Sequence, residues 1–129
     1  MNVEELAEYA VELKTKHGHN CSQAVAVALS SETNLSEDTL RAITAGFGGG
    51  MGTMEATCGS LIGAGIIAGL KTDGKGTIKL NSQILKRFCE LSGAVTCKEI
   101  KGRDTGVALC PCDQCVRNAV RAYYLGVRM

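Results

Sequence analysis

The 129-residue chain contains no Trp, two Phe and three Tyr, so aromatic residues make up only 4% of it. So few rings can build neither a stacking platform for single-stranded nucleic acid nor an aromatic sugar cleft. A surplus of either charge is also absent: 14 Lys and Arg stand against 13 Asp and Glu, for a net charge of +1. There is therefore no bulk attraction to nucleic acid or anionic lipid, and nucleic acid is not an expected partner. Long hydrophobic runs are missing. The charge-free stretch from Ala56 to Leu70 covers 15 residues and includes four Gly, whereas a membrane-spanning helix needs about 20 apolar residues. No membrane span is expected. Proline occurs once, at Pro111, and no segment alternates apolar with polar residues in the manner of a strand. With 45% hydrophobic residues, the chain has the material for one core, and residues 1–129 are expected to form a single domain.

The three-and-four spacing of apolar residues predicts an all-α bundle of about six or seven helices. Val3, Leu6, Ala7, Ala10 and Leu13 mark a first helical face, with Asn2 and Glu5 as cap and reciprocating third residue. After His17-Gly18-His19, the segment CSQAVAVALSSE reads as a second helix beginning at Cys21, and Ser36 opens a third. The segment GFGGGMG from Gly46 to Gly52 has too many glycines for a regular element and is expected to be a loop. In the following CGSLIGAGIIAGL, the pairs Gly59/Gly63 and Gly65/Gly69 repeat at spacing four. Such spacing lets other helices approach closely, which places this helix at the centre of the bundle. The same glycine face could serve a homodimer. Leu80, Ile84, Leu85, Phe88 and Leu91 form a stripe ended by Gly93; a short helix is expected over Thr96–Lys101 and a last one from about Cys112.

Cysteine is what the chain has in plenty. Seven are present, an odd number that leaves one thiol over in any monomer whose cysteines are all paired. The first residues, MNVEELAEYAVELKTKH, are acidic and amphipathic where a secretory signal would be basic and then apolar. This favours the cytoplasm, where cysteines more often serve catalysis, redox sensing or metal binding than structural disulfides.

Their placement is informative. In NCSQ, Asn20 is a preferred cap and Cys21 the first helical residue; TCKE repeats the arrangement with Thr96, Cys97 and Glu99. Cys58 follows Thr57 in TCGS, with Thr53 as a rival cap, and Pro111 suits a first helical turn that would carry Cys112 and Cys115. The free N–H groups and positive dipole end of a helix favour a thiolate over a thiol. The thiolate is both the nucleophile and the metal ligand. Cys89, mid-helix beside Phe88, reads as an inert buried thiol. Cys110 and Cys112 rank second, as resolving thiols, extra ligands or exposed accidents. His17 and His19 could be a base or ligands, but loop histidines more often do neither.

The ordered set NCSQAV, GFGGGMG, CGSLIGAGIIAGL, TCKE and a late Cys resembles the redox-active family named for its C-GCAxxG-C-C cysteine pattern, related segments of which occur in split-Soret-type cytochromes. The resemblance places the four family cysteines on Cys21, Cys58, Cys97 and Cys115, with Ser60 where the family usually has Ala. It implies redox activity without naming a reaction, substrate or cofactor.

Three functions compete. Thiol–disulfide exchange would join Cys58 with Cys97, or Cys112 with Cys115, and would act on a redox partner protein or a small thiol or disulfide. Alternatively, Cys21, Cys58, Cys97 and Cys115 would ligate zinc or an iron–sulfur cluster, although ligands so widely dispersed are unusual. In the third, Gly48, Gly49 and Gly50 would receive an anionic small molecule at a helix N-terminus. The loop lacks the Lys and Ser/Thr of a P-loop, so nucleotide hydrolysis is not expected.

Overall fold

Among the described residues, seven α-helices carry the fold: α1 (Val3–Lys16), α2 (Cys21–Ala28), α3 (Glu37–Thr44), α4 (Gly59–Thr72), α5 (Thr77–Ser92), α6 (Cys97–Lys101) and α7 (Cys112–Val127). They are seen in a computed structural model that describes residues 1–128. Among the described residues there is no strand, only an isolated antiparallel bridge between Thr57 and Thr96. The protein is an all-α single-domain bundle, as the periodicity predicts.

Local sequence sets the helix starts. Asn2 caps α1, its Oδ1 accepting from Glu5 N at 2.8 Å while Asn2 N donates to Glu5 Oε1 at 3.2 Å. Asn20 and Gln23 repeat this box at α2, with distances of 3.0 and 2.9 Å. Ser36 Oγ accepts from Thr39 N at 3.1 Å at the start of α3. The second helix is shorter than its pattern suggests: it ends at Ala28, and Ser30–Glu32 form a 3₁₀ turn.

Two features of the packing position the cysteines. Every residue of α2 except Gln23 is buried, with α1, α3, α4 and α7 around it. The α4 glycines permit this enclosure on two sides. A Cβ on Gly63 would lie 2.6 Å from the Ser22 carbonyl oxygen of α2, whereas Gly65 faces Asn81 of α5, 3.3 Å from a would-be Cβ. The spacing-four glycines thus seat two different neighbours. The second feature is the antiparallel seam between α1 and α7, marked by Glu4–Arg121 at 2.7 Å, Glu8–Arg117 at 2.6 Å and Lys14–Asp113 at 3.0 Å. Pairs this exposed add little stability, but they fix the register. Because residues 17–20 are all that separate α1 from α2, the seam brings the first turn of α7 to the first turn of α2.

Candidate functional site: a cysteine-lined pocket

Five sulfurs converge. Cys21, Cys58, Cys97, Cys112 and Cys115 line one enclosed cavity together with Gly59, Ile100 and Lys101. Its free volume is about 10 Å³, close to the room a single water requires. Four of these cysteines are buried, with exposures of 6% for Cys21, 7% for Cys58, 3% for Cys97 and 2% for Cys115, and Cys112 alone is half-buried. All seven cysteines are free thiols.

Cys21 and Cys97 occupy the first helical positions of α2 and α6, as their caps suggest. Thr96 is extended at the α6 cap position, but its side chain makes no capping hydrogen bond, so TCKE is not a capping box. Cys58 is itself the N-cap of α4 rather than its first helical residue, and neither Thr57 nor Thr53 caps that helix. The cause is a short extended pairing: Cys58 N donates to Val95 O at 2.7 Å and Cys97 N to Ala56 O at 3.0 Å. These bonds draw Cys58 and Cys97 together from distant parts of the chain. Pro111 likewise sits at the cap, one position before α7. Cys112 and Cys115 occupy adjacent turns of one α7 face, where a spacing of three makes side chains neighbours.

The Cys112 thiol is the largest influence lowering Cys21, and the Cys115 thiol the largest lowering Cys58. Cys58 and Cys21 act on Cys97 through charge, and Cys112 and Cys115 are each influenced most by a cysteine outside their own helix. In each pair one sulfur ionises readily and the other keeps the proton. The Cys112 thiol, a backbone N–H of Gly49, the charge of Lys101 and the N–H of Ser22 together hold Cys21 down at about 5, against the cost of burial. Cys58 is lowered to about 7, chiefly by the Cys115 thiol, and Cys112 and Cys115 are raised well above the ordinary range by the same pairings and by burial. Burial also raises Cys97.

The glycine loop serves the same cluster. A left-handed run at Gly49, Gly50, Met51 and Gly52 turns the Gly49 N–H onto Cys21. A Cβ on Gly48 would lie 2.5 Å from Asn20 Cγ, and one on Gly50 would lie 2.8 Å from Cys97 Cβ. The close approaches of this loop are thus to groups of the chain itself. Gly59 completes the arrangement: its missing side chain leaves room for the Cys21 sulfur, which would stand 2.7 Å from a Cβ there.

Cys110 is buried, not exposed; its carbonyl oxygen accepts from Cys115 Sγ at 3.9 Å, and its sulfur accepts from Asn118 Nδ2 at 3.7 Å. Cys89 is half-buried rather than buried and does not line the cavity. His17 and His19 line a different surface cleft, beside Tyr9 and Glu37. Lys101 escaped the sequence reading, although its spacing of four from Cys97 puts the two on one face of α6. Among the described residues, no group of three or more His, Cys, Asp or Glu is placed to hold a metal ion, and no helix is long and apolar enough to cross a membrane.

A family model described as "Putative redox-active protein (C_GCAxxG_C_C)" matches residues 19–124. The chain belongs to this family. No curated protein and no solved structure matches it. Of the residues aligned with the C_GCAxxG_C_C pattern above, Cys21, Cys58, Cys97 and Cys115 all line the cavity, and Cys112 joins them as a fifth. Ser60 is fully buried, and its hydroxyl has no conventional hydrogen-bond partner. It lies near enough to Cys58 to favour the thiolate. Ser60→Ala is therefore expected to raise the Cys58 pKa above about 7 while costing less than about 1 kcal/mol, since it removes an unsatisfied polar group. Thiolate ultraviolet absorbance against pH, with a denaturant melt alongside, checks both halves.

Proposed function

We propose that this redox-active family member works by thiol–disulfide exchange, with Cys21 as the attacking thiolate and Cys112 as the resolving thiol. One observation carries the reading: of the five cysteines that line the cavity, the most readily ionised, Cys21, is influenced most by Cys112, the one of the five that is half-buried rather than buried. An attacking thiol must be ionised at ambient pH, and its resolving partner must be within bonding reach. The Cys21–Cys112 pair meets both demands. Its co-substrate is a small disulfide or the disulfide of a partner protein.

Cys112→Ser tests the assignment because a serine hydroxyl can still donate to the Cys21 thiolate but cannot resolve a mixed disulfide. The variant, made in a Cys58→Ser background so that Cys58 cannot attack Cys21 in its place and treated with glutathione disulfide, is expected to keep the low thiolate titration and to stop at one glutathione bound through Cys21, read by intact-mass spectrometry. Wild type is expected to go on to the Cys21–Cys112 disulfide and release that glutathione. Resolution at the wild-type rate in that double variant would overturn the role of Cys112.

A second reading has one observation in its favour. The four sulfurs are arranged two and two, and a two-iron, two-sulfide cluster takes four thiolate ligands. Cys21, Cys112, Cys58 and Cys115 would supply them, but the cavity of about 10 Å³ would have to open to admit the cluster. Anaerobic purification with iron analysis and a visible spectrum decides this reading: one cluster per chain, lost in Cys58→Ser, would establish it.

A further inference from the structure

We propose that Cys58 and Cys115 form a second, shielded dithiol couple that exchanges electrons with the outside only through Cys21–Cys112, so that the pocket is a two-stage disulfide relay. This rests on the exchange reading above and adds a store behind it. The geometry carries the step. The outer couple includes the half-buried Cys112, whereas both members of the inner couple, Cys58 and Cys115, are buried, so a bulky disulfide has its approach to the shared cavity on the Cys112 side. The Cys21 sulfur rests against Gly59, the residue that directly follows Cys58. Cys21 is thus the one member of the outer couple seated on the first turn of α4, where the inner couple begins.

The transfer balances without any external agent. Starting from an oxidised outer couple, the Cys58 thiolate attacks the Cys21 sulfur; the Cys21–Cys112 bond breaks and Cys112 leaves as a thiolate. Cys115 then gives up its proton, which ends on Cys112, and attacks Cys58. The Cys21–Cys58 bond breaks and Cys21 leaves as a thiolate. A disulfide has moved inward, the outer couple is reduced again, and no electron has been gained or lost overall. A second external disulfide can then re-oxidise the outer couple, giving the chain a capacity of two disulfides.

The test is time-resolved disulfide mapping of the fully reduced, metal-free protein in the presence of excess glutathione disulfide, with acid trapping and peptide mass spectrometry. The expected order is Cys21–Cys112 first and Cys58–Cys115 second, ending at two disulfides per chain. In Cys21→Ser the inner disulfide should be lost, or formed at least about 100-fold more slowly, with glutathione disulfide. Hydrogen peroxide, little larger than water, should still join Cys58 to Cys115 in that variant, one thiol being oxidised to a sulfenic acid that the other displaces as water, which shows that the inner pair remains within bonding reach. The relay is overturned if glutathione disulfide oxidises the inner couple in Cys21→Ser at the wild-type rate. It is equally overturned if hydrogen peroxide cannot join Cys58 to Cys115, or if wild type stops with only the outer couple oxidised. If the outer couple itself never forms in wild type, the exchange reading fails with it, so the two failures are distinct.

Discussion

Gly63→Val is expected to cost the fold about 3 kcal/mol or more. Even the first carbon of a side chain there would stand 2.6 Å from the carbonyl oxygen of Ser22, a separation that non-bonded carbon and oxygen do not tolerate. The obstacle is backbone, so no rotamer change relieves it. It also belongs to α2, which is enclosed by four other helices and has nowhere to retreat. Overpacking a core ordinarily costs about 1–3 kcal/mol, and the rigid backbone of Ser22 puts this position at the upper end. Against a total stability of about 5–15 kcal/mol for a domain of this kind, the loss should lower the midpoint of thermal unfolding by about 10 °C. Gly69 supplies the control. A Cβ at Gly69 would meet only Thr77 Cγ2, at 3.9 Å, an ordinary contact. Gly69→Ala should therefore be neutral or stabilising by about 0.5–1 kcal/mol, the usual gain of Ala over Gly within a helix. Denaturant melts of both variants check the contrast, and equal effects would mean that α2 and α4 are not in backbone contact at Gly63.

The residues that the sequence made legible are those whose structure is local. Asn2 and Asn20 cap their helices with side chains three residues away, and that periodicity is written in the chain itself. Cys21 and Cys97 at first helical positions follow from the same short-range rule. Cys58 escaped it because its conformation is set from afar: the bond from Cys58 N to Val95 O holds it extended and makes it the cap. The pairing of sulfurs was beyond reach for the same reason. Which thiol meets Cys21 depends on the register of α1 against α7, and the ion pairs that mark that register span up to 117 residues of sequence. A sharper reading was available at one point. Cys112 and Cys115 lie three apart at a helix start, hence on one face, so that any pocket holding Cys115 was bound to hold Cys112 as well.

The reaction of the reduced protein with glutathione disulfide should depend on pH as no ordinary thiol does. With Cys21 lowered to about 5, the rate should be nearly flat from pH 8 down to about 6 and fall tenfold per unit below 5. The foremost cause of that lowering is the hydrogen bond from Cys112, so Cys112→Ala, which cannot donate, should carry the midpoint up towards the unperturbed value of about 8.5. At pH 6 the attacking thiolate fraction would then drop by up to about two orders of magnitude, whereas Cys112→Ser should lose much less. Stability answers to the same pair. Cys21 titrates lower in the folded chain than in the unfolded one, so between about 5 and the ordinary 9.0 the unfolded state binds the extra proton and stability rises with pH. Cys112 is shifted the other way; above its ordinary value the unfolded chain releases a proton that the folded chain keeps, and stability falls again. Folding free energy measured across this range should therefore pass through a maximum near pH 9, where the two sulfurs share one proton between them. A profile without that rise, or a flat rate profile unmoved by Cys112→Ala, would mean that the two thiols do not share a proton.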